Sequence, residues 1–345
     1  MPDLNEIKDY LKSYDGDEKI IMEVCGTHTA SISENGIHAM LSPKIKLISG
    51  PGCPVCVTVA AYIDRLVELA LTPDTTVVTF GDMLRVKGSD KSLRDAMAEG
   101  AGVKMVYSPF DIIDMARENP HRQFVFAAVG FETTAPVYAL IIERLLEENI
   151  KNVRLLTALK TMPQAIRTVT DGDTKITGFL APGHVSAITG HKLFEEMAKE
   201  LNLPFVTAGF GGEELLAAIY ALTKLKGGAS LNMYPSVVTY DGNTAAQEKV
   251  NRYFEPCDAA WRGIGIIENS GIRLRTEYER FDAGSDELCE DKLYNSACAC
   301  GDVISGKKAP RECPLFGTVC TPVTPQGACM VSQEGSCFHH YINNR

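Results

Sequence analysis

The chain has 345 residues, 45% of them hydrophobic and 23% charged, and a formal net charge of −10. That length can bury two or three cores, and the acidic balance excludes nucleic acid as a main partner, because phosphate binding rests on clustered Lys and Arg. The start, Met1-Pro2-Asp3-Leu4, is polar and no apolar run approaches 18 residues, so a cytoplasmic protein without membrane attachment is expected.

From Lys19 to about Leu225 short apolar runs alternate with helix-length amphipathic segments. The runs are 20–24, 46–49, 76–80, 104–107, 124–129, 153–156, 176–180 and 204–208. Nearly continuous apolar runs between helices are the pattern of buried parallel strands. The class is therefore α/β. Breaks near 147–151 and 227–236 suggest two Rossmann-like parallel-sheet domains facing a cleft, 40–148 and 149–268. Residues 1–39 with 269–345 are left as a smaller third region.

In such sheets ligands sit beyond the carboxyl ends of the strands, and the unusual motifs fall there. Cys25-Gly26-Thr27-His28-Thr29 follows the first run, and a thiolate with an imidazole three residues on suits a soft or borderline metal or an activated nucleophile. Cys53-Pro54-Val55-Cys56 follows Gly50-Pro51-Gly52 and precedes the apolar-periodic segment 57–71. That places the pair at an expected helix N-terminus, which favours thiolate, and the spacing fits a disulfide or a metal. Glu132 in Gly130-Phe131-Glu132-Thr133-Thr134 is a candidate ligand or base, with the threonines as helix caps. His184 in Pro182-Gly183-His184 is a loop histidine near the expected cleft. Trp261-Arg262-Gly263-Ile264-Gly265 lacks the third glycine of a dinucleotide fingerprint.

Cysteine usage divides the chain. None lies from 57 to 256, and those after 256 crowd towards the end. In a reducing compartment they read as metal ligands or working thiols. The tail has C-x14-C-x6-C-x16-C through Cys298, Cys313, Cys320 and Cys337, with Cys300 and Cys329 as alternatives. An all-cysteine set without close pairs of C-x2-4-C spacing favours a 4Fe-4S cluster over zinc. A metal cluster would also stabilise a region too poor in apolar runs to build a large core.

Together these motifs, with Leu315-Phe316-Gly317-Thr318-Val319-Cys320-Thr321-Pro322 and Gly327-Ala328-Cys329-Met330-Val331-Ser332, closely resemble the HypD family of hydrogenase maturation factors. The resemblance runs in order from about 20 to 340. It implies a scaffold, more an accessory protein with redox activity than a classified enzyme, on which the Fe(CN)2CO unit of NiFe hydrogenases is built. By carry-over Cys25 is the iron ligand with His28 beside it. Cys53 and Cys56 are the redox pair, and the tail holds the cluster. The implied partners are the small chaperone HypC, which shares the iron, and HypE, which delivers cyanide. Two positions depart from the family: Lys87, where Pro is usual, and Gly211-Gly212, where Glu-Pro is usual. The rival readings are an iron–sulfur-dependent thiol–disulfide reductase and a zinc-stabilised interaction module.

Overall fold

The structure, a computed structural model, describes residues 2–172 and 174–343. Each of the eight apolar runs forms a strand: β1 (Lys19–Glu23), β2 (Ile45–Ser49), β3 (Thr75–Thr79), β4 (Val103–Met105), β5 (Gln123–Gly130), β6 (Val153–Lys160), β7 (Gly178–Pro182) and β8 (Phe205–Ala208). Three more follow: β9 (Ser230–Asn232), β10 (Phe254–Trp261) and β11 (Gly265–Leu274). They build two sheets, and the α/β class holds.

The first sheet has the order β2-β1-β7-β8-β9 and is parallel throughout. The second has the order β10-β11-β6-β5-β3-β4. It is parallel from β6 to β4, with the β10–β11 hairpin added antiparallel at one edge. Strands sort differently from the boundaries expected at 40, 149 and 269. β1, from the expected third region, lies inside the first sheet beside β7, and β6 joins β5 in the second. β5 pairs with β6, the next strand in sequence, whereas β1, buried from Ile21 to Glu23, takes β7 from distant chain as its second neighbour. Such partners leave no mark in local periodicity.

One apolar core lies where sheet ends and tail converge. Met22 and Val24 of the β1 end, Cys53 and Cys56, Phe131, Trp261, and Cys300, Cys320, Cys329 and Cys337 are all buried in it. Phe131 stacks on Trp261 with ring centroids 5.9 Å apart. The last helix, Ser336–Asn343, crosses back to Gly26–Glu34, where the Asn343 amide donates to the Ser33 hydroxyl at 2.9 Å. Arg85 fixes the tail on the other side, donating to the carbonyls of Pro322 and Val331 at 3.2 and 3.1 Å. Among the described residues no helix is long and apolar enough to cross a membrane.

Candidate functional site

Cys25 sits where β1 ends and the helix Gly26–Glu34 begins. Backbone N–H groups of His28 and Thr27 point to its sulfur, which favours thiolate, but burial outweighs them and pushes the thiol up to about 12. Two carboxyl groups share this place. Glu23 accepts from the Cys25 backbone N–H at 3.1 Å and from the Thr29 hydroxyl. Glu334, from the tail, accepts from the Thr27 hydroxyl at 3.4 Å and lies against Gly26. Burial raises both carboxyls, Glu23 to about 8. Asp82 holds the turn that presents Glu334, accepting from the Ser332 hydroxyl at 3.1 Å. Sequence reading missed all three carboxylates; a Glu two residues before Cys25 was the only local signal, and Glu334 is 311 positions from Glu23. Among the described residues no three His, Cys, Asp or Glu side chains already converge at metal-binding distance.

The disulfide loop packs directly on Cys25. The Gly26 N–H donates to the Gly52 carbonyl at 3.0 Å. Cys53 and Cys56 are joined in a disulfide, with Cα atoms 5.2 Å apart. The expected helix start at the pair is corrected: the helix begins at Ala60, four residues later. Residues 54–57 instead form a turn, closed by the Thr58 hydroxyl donating to the Pro54 carbonyl at 2.8 Å. The thiol pair is thus held by a compact loop rather than by a helix dipole. Gly52 permits this approach, since a Cβ there would strike the backbone of Val24 and Cys25. Gly52→Ala should therefore push the loop off Cys25 and cost about 1–3 kcal/mol, the usual range for overpacking. Chemical denaturation would measure it, and an unchanged midpoint would refute the contact.

His28 is fully buried, and its Nε2 donates to the Gly209 carbonyl at 3.1 Å, which fixes the tautomer. Burial lowers its pKa to about 4, so the ring is neutral. Its Nδ1 has no partner. Phe210 joins the two candidate histidines, its ring centroid 4.8 Å from His28 and 4.1 Å from His184. The departure at Gly211-Gly212 thus lies beside this stack. Lys87, the other departure, sets its ammonium 3.6 Å from the centre of the Tyr294 ring.

Glu132 does not lead a threonine-capped helix as expected. Thr134 makes no side-chain cap, and Glu132 turns to the next β-α junction, where it accepts from the Met162 N–H at 2.8 Å. Burial raises its carboxyl to about 7. A carboxyl with a raised folded pKa holds its proton while the unfolded chain ionises. No cost exists below about pH 4.5; it grows as pH rises and is complete above about 7, at up to about 3 kcal/mol. Glu132→Gln should therefore gain stability over the parent between pH 5 and pH 8. A pH-independent difference in melting temperature would contradict this.

The tail brings all six of its cysteines into one small region. Cys298, Cys300, Cys329 and Cys337 form a chain of neighbouring thiols, and Cys313 and Cys320 flank Cys298. Backbone N–H groups already serve sulfurs: Ala299 to Cys313 at 3.5 Å, Gln326 to Cys320 at 3.3 Å and Cys337 to Cys329 at 3.2 Å. Gly327 leaves room in which a Cβ would press on the Cys298 sulfur at 2.7 Å. Buried sulfurs supplied with amide donors and a side-chain-free wall fit a cysteine-bound cluster. The sequence set of Cys298, Cys313, Cys320 and Cys337 would leave Cys300 and Cys329 as an adjacent pair.

Comparison with known proteins shows the family. The HypD profile, described as the hydrogenase formation hypA family, matches residues 3–344. Hydrogenase maturation factor HypD2 of Bradyrhizobium diazoefficiens is 41% identical over 340 residues, covering 94% of this chain and 89% of its own. HypD of Escherichia coli is 40% identical over 334 residues, with 93% and 88% covered. HypD of Cupriavidus necator is 40% identical over 341 residues, with 94% and 89% covered. The chain belongs to the HypD family of hydrogenase maturation factors.

Proposed function

We propose that this chain is the scaffold on which the Fe(CN)2CO unit of NiFe hydrogenases is assembled, with iron as cargo at Cys25. The observation that carries the reading is the company Cys25 keeps. A buried thiol and two carboxyls, Glu23 and Glu334, lie together directly over the Cys53–Cys56 loop. Their burial favours the protonated forms, and a divalent cation would reverse that preference by taking the place of the protons. Thiolate donation suits the electron-rich iron that cyanide and CO require. The chaperone HypC is assigned a share in holding the iron, and HypE the delivery of cyanide.

Cys53 and Cys56 are assigned the electrons. The dithiol closes to the disulfide with release of two electrons and two protons, and reopens when two electrons and two protons return. A 4Fe-4S cluster would be held by Cys298, Cys313, Cys320 and Cys337, and would supply electrons one at a time. Cys300 and Cys329, neighbours in the same apolar core as Cys53 and Cys56, are suited to pass pairs of electrons between the two. The deciding experiment is infrared spectroscopy of the chain co-purified with HypC under maturing conditions. Cyanide and CO bands lost in Cys25→Ala support the scaffold, and a parent protein without such bands refutes it.

The reductase reading draws on one specific observation, the sharing of a core by the disulfide and the tail thiols. It gives no use to the carboxylates around Cys25.

A further inference from the structure

Arg262 is the least expected side chain in the molecule. It lies in the turn between β10 and β11, a place where arginine is normally solvated, yet it is only 2% exposed. Burying a guanidinium is costly unless its donors are used. Three groups use it in part. Its backbone N–H donates to the Val57 carbonyl at 2.9 Å, and its Nε donates to the Thr58 carbonyl at 2.7 Å. Its Nη1 stands 3.7 Å from the Asp291 carboxylate, which also accepts from the N–H groups of Ala60 and Gly263 at 3.1 and 2.9 Å. The remaining nitrogen, Nη2, is buried without a partner.

The place of this cation is what gives it meaning. Val57 and Thr58 follow Cys56 directly, so Arg262 grips the base of the disulfide loop. On its other side the turn meets the tail. Gly263 and Gly301 touch backbone to backbone, and a Cβ on either would strike the other. Gly301 follows Cys300. Arg262 precedes Gly263 and Cys300 precedes Gly301, so this contact sets the buried guanidinium's turn against the Cys298–Cys300 segment. One buried cation with a spare N–H thus stands between the two sulfur sites.

We infer that Arg262 is a positioning and tuning residue for the tail cluster, its free Nη2 donating to a sulfur of the Cys298–Cys300 segment and its charge stabilising the reduced cluster. The inference rests on the reading that the tail holds such a cluster. A positive charge and a hydrogen bond to sulfur both favour the state with the extra electron, and so raise the reduction potential. The two bonds to residues 57 and 58 make the same side chain a fixed spacer between cluster and disulfide. Asp291 acts with the opposite sign, partly neutralising the guanidinium.

The test uses the full chain, reconstituted anaerobically with iron and sulfide, in the parent, Arg262→Gln, Arg262→Lys and Asp291→Asn forms. Iron and acid-labile sulfide are counted first, and the cluster is then titrated potentiometrically with electron paramagnetic resonance. Arg262→Gln should weaken cluster reduction about tenfold, about 59 mV for a one-electron couple. Arg262→Lys should stay near the parent, and Asp291→Asn should shift the other way. Shifts of opposite sign are the signature of charge, which a merely structural residue would not produce. A loaded Arg262→Gln protein with unchanged potential overturns the inference and leaves the cluster standing. A parent that binds no sulfide overturns the cluster reading and the inference with it. Should Arg262→Gln not fold, an Asp291→Asn protein with unaltered potential overturns it equally.

Discussion

Cys25→Ser should purify without iron even when co-produced with the rest of the maturation machinery. Loss of a residue that merely orients a metal ligand costs roughly 10–100-fold in affinity, and loss of the soft ligand itself should exceed that. The substitution is nearly isosteric, and the backbone bonds that fix the position remain: the Cys25 N–H to Glu23 and the Gly26 N–H to Gly52. A normal melting temperature with no retained iron is therefore the expected pair of results. Iron counted by mass spectrometry on the intact chain decides it. Parent-level iron in Cys25→Ser would move the cargo site elsewhere.

Cys53→Ala should behave differently. Iron retention should persist in part, because Cys25, Glu23 and Glu334 are untouched, while hydrogenase maturation should be lost. Stability alone will not account for that loss. The disulfide closes a loop spanning only three positions, for which the chain-entropy effect is about 2 kcal/mol. A folded, iron-holding and inactive protein is the predicted phenotype, read by hydrogenase activity in cells. Wild-type maturation in this variant would remove the dithiol from the reaction.

Much of this site is legible in sequence because Gly and Pro mark the ends of apolar runs. Cys25, Cys53 and His184 could each be placed beyond a strand in that way. The tail spacing likewise announced a cysteine site. What was not legible depends on contacts over long stretches of chain. Glu334 reaches Cys25 from the far end of the molecule, and nothing in its neighbourhood sets it apart from a surface glutamate. The partition of strands was hidden for the same reason, since β1 prefers β7 to the strands nearest in sequence apart from β2. The helix start was misplaced by a local competitor, the Thr58 hydroxyl, which bonds back to Pro54 and delays the helix to Ala60. Arg262 carries no local sign of its burial, because the groups that meet it come from residues 57, 58 and 291.

The position of β1 beside β7 also has a consequence for how the protein is made. The two strands are separated by residues 24 to 177. At roughly 5–20 residues per second of synthesis, β1 waits on the order of 10 to 30 seconds for its second neighbour, with Ile21 and Met22 unburied in the meantime. Glu334 arrives later still. The contact of Glu334 with Thr27 beside Cys25 therefore forms only after the strands of both sheets have been made. Fragments ending near 148 should accordingly be insoluble rather than partly active.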